Sequence, residues 1–271
     1  MKRSIKFFGL NFENFLFFQS LRVGKVFSKF FLKGSYLKDL NRILKDISSK
    51  GFVKINHYYS PEEIESLNKL VIKILDEHVN SPTDKFNIEK YSGFIKINSP
   101  LTQKYSQFKR ISFDYLFLII SLFFYRKINV PSAYVTIKHD GSFIHPIVPG
   151  EVDKTNEIID PLWLPHIDSN KHLLKALILL DDISLENGPT GLISGSYRDK
   201  LFRNFYIKNY QKFSLKTNIL DKPLIKKIEN ELIPSYLTGK KGDLIFVDTN
   251  NIHWASTLKK GCRKILWLHF S

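Results

Sequence analysis

The segment Leu164-Pro165-His166-Ile167-Asp168-Ser169-Asn170 places an imidazole and a carboxylate two residues apart, just before the apolar run KALILLDD. In an extended strand, residues two apart face the same side, so His166 and Asp168 would point one way and Ile167 the other. Such a pair can grip a cation, but two ligands are too few for a stable metal site. A third is offered by GDLIFVDTNNIHW, residues 242 to 254, where a glycine-led strand and a turn end in His253. Two histidines and one carboxylate would occupy one face of a metal and leave other positions open, the ligand set of non-haem Fe(II) oxygenases. The carboxylate cancels part of the metal's charge in a low-dielectric cavity, and a dianionic cosubstrate would supply the rest. Arg263, ten residues after His253 and at the start of RKILWLHF, offers a forked guanidinium for the far carboxylate of such a molecule.

These side chains need a sheet to carry them. Gly51-Phe52-Val53-Lys54-Ile55 reads as a short strand, and Ser60-Pro61-Glu62-Glu63 supplies an N-cap, a proline at the first helical position and a capping-box glutamate. The spacing of Ile64, Leu67, Leu70, Val71 and Ile74 predicts a helix from about Pro61 to Val79. ISFDYLFLIISLFFY, Ile111 to Tyr125, is shorter than the roughly twenty residues a bilayer requires and is expected to be one buried helix under the sheet. From Ser132 the runs become short and β-branched, separated by Gly, Pro, Asn and Asp: AYVTIKH, LPHID, KALILLDD, GLISGS, DLIFVD, KILWLHF. Helices first and many short strands afterwards predict a mainly β domain, an antiparallel double sheet with helices packed on one side. Residues 197 to 236 carry no strong strand signal and are expected to be an insertion with helical turns. The expected organisation is an N-terminal basic and aromatic, helical extension over 1–50 and one domain over 51–271.

GFVKINHYYSPEEIESL, LPHID, ENGPTGLISGSYR, GDLIFVDTNNIHWAS and GCRKILWLHF occur in an order and register that resemble the phytanoyl-CoA dioxygenase family of Fe(II)- and 2-oxoglutarate-dependent oxygenases, over roughly Gly51 to Phe270. The resemblance implies a double-stranded β-helix (jelly-roll, cupin-like) core and a dioxygenase that uses Fe(II), O2 and 2-oxoglutarate as cosubstrate. It maps the metal-ligating triad to His166, Asp168 and His253 and the 2-oxoglutarate arginine to Arg263. Members often carry a small hydroxyl residue two positions after the distal histidine. Ala255 stands there, which leaves Ser256 as the neighbouring contact for the cosubstrate. Lys96, on the strand GFIKIN, resembles a lysine that some members direct at 2-oxoglutarate. The reaction implied is hydroxylation of a C–H bond of a small molecule, with desaturation or epimerisation at the same metal, or a non-catalytic jelly-roll binding protein, as the alternatives.

Composition narrows the partners. Lys and Arg number 41 against 26 Asp and Glu, a net charge of +15. The basic residues are spread along the chain with no nucleic-acid motif, so no nucleic-acid partner is expected; the charge reads first as a Lys-, Ile-, Asn- and Phe-rich composition inherited from an AT-rich genome, with an anionic substrate as the alternative. The single cysteine, Cys262, excludes an intrachain disulfide and a cysteine zinc site, and a cytoplasmic location is expected. In the opening MKRSIKFFGLNFENFLFFQSLRVGKVFSKFFLKG, polar residues interrupt the apolar run and no cleavage site follows. Packing on its own domain is set there against peripheral membrane contact. His57, His78 and His172 are expected to be structural; for His139 and His145 a structural role is set against contact with substrate. Asp181, Asp182 and Asn187-Gly188-Pro189 read as turn chemistry, Thr190 as a residue lining the cavity and Trp163 and Trp254 as core fillers. Tyr134, Thr136 and Lys138 form one polar face of AYVTIKH, either solvent-facing or a cavity wall.

Overall fold

The computed structural model describes residues 6–7, 10–11, 36–78, 88–91, 94–139, 165–168, 173–198, 233–256 and 258–270. A two-strand ladder, β1 (Lys6–Phe7) and β2 (Leu10–Asn11), lies near the N-terminus. Helix α1 (Tyr36–Lys50) buries Leu40, Ile43, Leu44 and Ile47, the i, i+3, i+4, i+7 stripe of an amphipathic helix, in the main core. Strand β3 (Phe52–Ile55) leads to helix α2 (Pro61–His78), whose start is closed reciprocally. The Glu63 amide donates to Ser60 Oγ at 3.3 Å, and the Ser60 amide donates to Glu63 Oε2 at 2.8 Å.

After β4 (Ile88–Tyr91) and β5 (Phe94–Ile97) come the short helices α3 (Ser99–Thr102) and α4 (Ser106–Ser112), then α5 (Tyr115–Tyr125). The apolar run from Ile111 to Tyr125 is therefore not one helix. Asp114 divides it: its carboxylate accepts the Leu116 amide at 2.9 Å as an N-cap and the Tyr58 hydroxyl at 2.9 Å. A short acid competes with the backbone for amide hydrogens and restarts the helix. Helix α5 lies on the sheet through Leu116, Phe117 and Ile120, with the Phe117 ring edge-on to Phe246 and Phe270.

The remaining strands are β6 (Ser132–His139), β7 (Leu174–Leu179), β8 (Thr190–Leu192), β9 (Ser235–Tyr236), β10 (Leu244–Asp248), β11 (His253–Ala255) and β12 (Cys262–His269). Seven form a major sheet in the order β3-β10-β7-β12-β6-β5-β4, and three form a minor sheet, β11-β8-β9. Every ladder is antiparallel. One face of the major sheet presents Ala133, Val135, Ala176, Ile178, Phe246 and Leu266 to the helices. The alternate residues Leu177, Leu179, Ile245, Val247 and Ile265 form a second core with Leu192 of the minor sheet and Leu237, which follows β9. This is the mainly β, helix-flanked double sheet that the strand pattern predicts.

The same alternation settles the polar face of β6. Ala133, Val135 and Ile137 pack on the helix side, so Tyr134, Thr136 and Lys138 point between the sheets, where Lys138 is 3% exposed. They face the protein interior, not solvent. Most of 197–236, together with His145, Trp163, His172 and the His139 side chain, lies outside the described residues.

Candidate metal centre

His166 forms a lone antiparallel bridge to the first residue of β11. Its amide donates to the His253 carbonyl at 3.0 Å, and the His253 amide donates back at 2.9 Å. Two residues on, the Asp168 amide donates to the Thr249 carbonyl at 3.1 Å, which keeps this short segment extended beside the turn that follows β10. The ligand atoms of His166, Asp168 and His253 consequently all lie within 4.8 Å of one another. Asp168 Oδ1 stands 3.5 Å from His166 Nε2 and 3.6 Å from His253 Nε2. Ligands about 2.1 Å from a shared metal sit roughly 3 Å apart along an octahedral edge, so a small closure brings all three onto one ion.

The donors are prepared for that role. His253 Nδ1 lies 2.9 Å from the Asn251 carbonyl, which requires its proton there and leaves Nε2 with a lone pair toward the triad. Burial, with the neighbouring His166, holds the His253 pKa below the ordinary imidazole value and so favours the neutral, ligating form. For Asp168, burial would raise the carboxyl. In the metal-free protein the facing imidazoles, whenever Nε2 carries a proton, and the Lys175 ammonium outweigh it and hold the group far below the usual carboxylate range. The residues present fit a divalent metal with open coordination positions.

Arg263 marks a second pole. It enters the cavity from β12 directly across from Lys138 of β6 and is 3% exposed. Burial pulls its pKa down to about 10. Its Nη1 donates to the Gly188 carbonyl, while Nε meets no hydrogen-bond partner among the described residues. Ser256 lies beside the same turn: its amide donates to the Pro189 carbonyl at 3.0 Å, and its buried Oγ has no partner among the described residues. A Cβ on Gly188, whose φ is +64°, would sit 2.7 Å from the Ser256 carbonyl, so only glycine allows this approach. Lys96 pairs in register with Thr136 and holds its ammonium 5.7 Å from the Tyr134 ring centroid, on the same face.

Other expectations divide. Thr190 is buried directly across from Ala255, on the cavity side of the minor sheet. Trp254 is not core. It covers the outside of that sheet, edge-on to Tyr236 and so close over Gly191 that a Cβ there would come within 2.3 Å of its ring. His78 Nε2 meets the Tyr105 hydroxyl at 3.1 Å. Asp182 receives the Lys241 amide, Asp181 pairs with Lys264, and the Asn187 amide group donates to the Lys260 carbonyl, all turn-bracing roles. Lys175, Trp267 and His269 also face the centre and were not singled out from sequence. A lysine inside the otherwise apolar β7 is the available signal.

No family model matches the chain, and no curated protein does. Solved structures resemble it at the level of the fold. The epimerase SnoN, in complex with Fe3+, alpha ketoglutarate and nogalamycin RO, superposes with a TM-score of 0.57 at 13% identity, over 86% of this chain and 83% of SnoN. EctD from S. alaskensis with bound Fe gives 0.57 at 15% identity, over 84% and 75%. HygX from Streptomyces hygroscopicus with nickel and 2-oxoglutarate gives 0.53 at 18% identity, over 84% and 85%. The fold is that of this group, the double-stranded β-helix.

Proposed function

We propose that the chain is an Fe(II)- and 2-oxoglutarate-dependent oxygenase acting on a small molecule, and that it oxidises a C–H bond of that substrate, most simply by hydroxylation. The observation that carries this is the convergence of His166, Asp168 and His253, from distant parts of the chain, within 4.8 Å. In this reading His166 Nε2, His253 Nε2 and an Asp168 oxygen hold the iron. Arg263 and Ser256 receive the far carboxylate of 2-oxoglutarate, with Lys138 beside Arg263 and Lys96 one strand further out. When bound, iron and 2-oxoglutarate activate O2, and succinate and CO2 leave as the substrate is oxidised. The protein supplies orientation, charge and apolar surroundings, with Leu177, Leu179 and Ile265 buried between the sheets.

Membership of the phytanoyl-CoA dioxygenase family is the finer form of this reading, supported by the ordered motifs. An anionic substrate is supported by the cations of the cavity face. The test is O2-dependent succinate formation by protein reconstituted anaerobically with Fe(II). Full turnover retained by His166→Ala or Asp168→Ala would overturn the proposal.

Another oxidative outcome at the same centre is the second reading, since one fold neighbour is an epimerase and another, SnoK, is a carbocyclase. Succinate forms in either case, so the structure of the product separates them. Tight metal binding with no cosubstrate turnover would favour the non-catalytic binding protein instead. The peripheral membrane contact expected of the N-terminal extension falls mostly on residues outside the described ones; no helix among the described residues is long and apolar enough to cross a membrane.

A further inference from the structure

The Asp168 carboxylate is divided between two environments. Oδ1 faces both histidine Nε2 atoms, at 3.5 and 3.6 Å, while Oδ2 lies 2.6 Å from Lys175 Nζ. The two oxygens serve different partners, so a metal taken up through Oδ1 leaves the ammonium contact in place. Lys175 is held there by the sheet. Its register on β7 sets it opposite His269 of β12, its Nζ lies 5.9 Å from the Trp267 ring centroid, and only 17% of its side chain is exposed. The Trp267 ring is itself fixed by stacking on Tyr134 and by donating from Nε1 to Thr136 Oγ1 at 2.8 Å.

The charges then have a consequence. With Lys175 present, the ammonium cancels the charge of Asp168, and a divalent ion retains its full double positive charge inside the cavity. 2-Oxoglutarate is a dianion. Resting on the metal-centre reading above, we propose that Lys175 is a built-in counter-charge that makes metal retention depend on the cosubstrate: the ion binds weakly alone and tightly once the dianion arrives. The repulsion acts over a few ångströms in a poorly screened site, enough for a tenfold or larger effect. By linkage, the metal must strengthen binding of the dianion by the same factor.

The test uses the full chain and Mn2+, which supports no turnover under anaerobic conditions. Free Mn2+ is followed by its EPR signal, with and without 2-oxoglutarate. Lys175→Met keeps an unbranched side chain and removes the charge; Lys175→Gln is a second neutral variant should the first fail to fold; Lys175→Arg keeps the charge. The neutral variants are expected to bind Mn2+ alone about tenfold tighter or more, and the enhancement produced by 2-oxoglutarate is expected to shrink by a similar factor. Lys175→Arg should follow the wild type. Folded neutral variants that bind Mn2+ no more tightly would overturn the counter-charge. Weaker binding would also overturn it, and would make Lys175 a device that orients Asp168. If the wild type binds no Mn2+ with or without 2-oxoglutarate, the metal-centre reading itself fails, a result distinct from wild-type binding that the neutral variants merely reproduce.

Discussion

Replacing Asp168 by Asn should destabilise the metal-free protein even though the residue lies in the candidate metal centre. The carboxylate is 2.6 Å from Lys175 Nζ, and the two side chains are 14% and 17% exposed. Removing one partner of a buried pair costs about 3–5 kcal/mol, because the other charge stays in the interior uncompensated. The remaining exposure moves the expectation to the lower end, roughly 3 kcal/mol. The assay is urea denaturation in EDTA near neutral pH for wild type, Asp168→Asn, Lys175→Met and the double variant. The double variant should recover to within ~1 kcal/mol of wild type, since it leaves no orphaned charge. A loss below ~1 kcal/mol in Asp168→Asn, or a double variant as unstable as the sum of the singles, would refute the buried pair. pH gives an independent check. The Asp168 pKa is lowered on folding, so its contribution is complete above the unfolded value, near 3.9, and fades as pH falls below it. Asp168→Asn should lack that part of the acid sensitivity.

His253→Ala should abolish tight divalent-metal binding by calorimetry while circular dichroism stays that of a folded protein. Metal affinity should fall with acidification, because protons compete for the imidazoles; the lowered His253 pKa puts that residue's share of the loss below about pH 6.5, as a pH series of titrations would show. Arg263→Met should raise the KM for 2-oxoglutarate about 100-fold, from the roughly 2–5 kcal/mol carried by a buried charge pair, while shifting metal affinity in its absence by only a few fold. Phe117→Ala, at a fully buried ring packed on Phe246 and Phe270, should cost about 3–5 kcal/mol in denaturant unfolding without altering the metal site.

Local rules made much of the protein legible. The capping box at Ser60 and the stripe from Ile64 to Ile74 define α2 because a helix repeats every 3.6 residues, whatever it packs against. Alternation along AYVTIKH and the short apolar run of KALILLDD mark strands for similarly local reasons, and His-x-Asp followed by a distant histidine suggests a ligand set by residue type. Local rules also misled: the unbroken apolarity from Ile111 to Tyr125 concealed the capping role of Asp114, which shows only once its carboxylate has an amide to accept.

Three decisions belonged to the tertiary structure alone. The bridge that sets His166 beside His253 joins residues far apart in sequence, and no local preference encodes such a pairing. Whether the polar face of β6 met water or the protein interior depended on which side of the major sheet the helices covered. Lys175 is read as an ordinary lysine until the register of β7 turns it toward Asp168. Periodicity determines which residues share a face, but only long-range packing determines what that face meets, and the energy of a charge depends on what it meets.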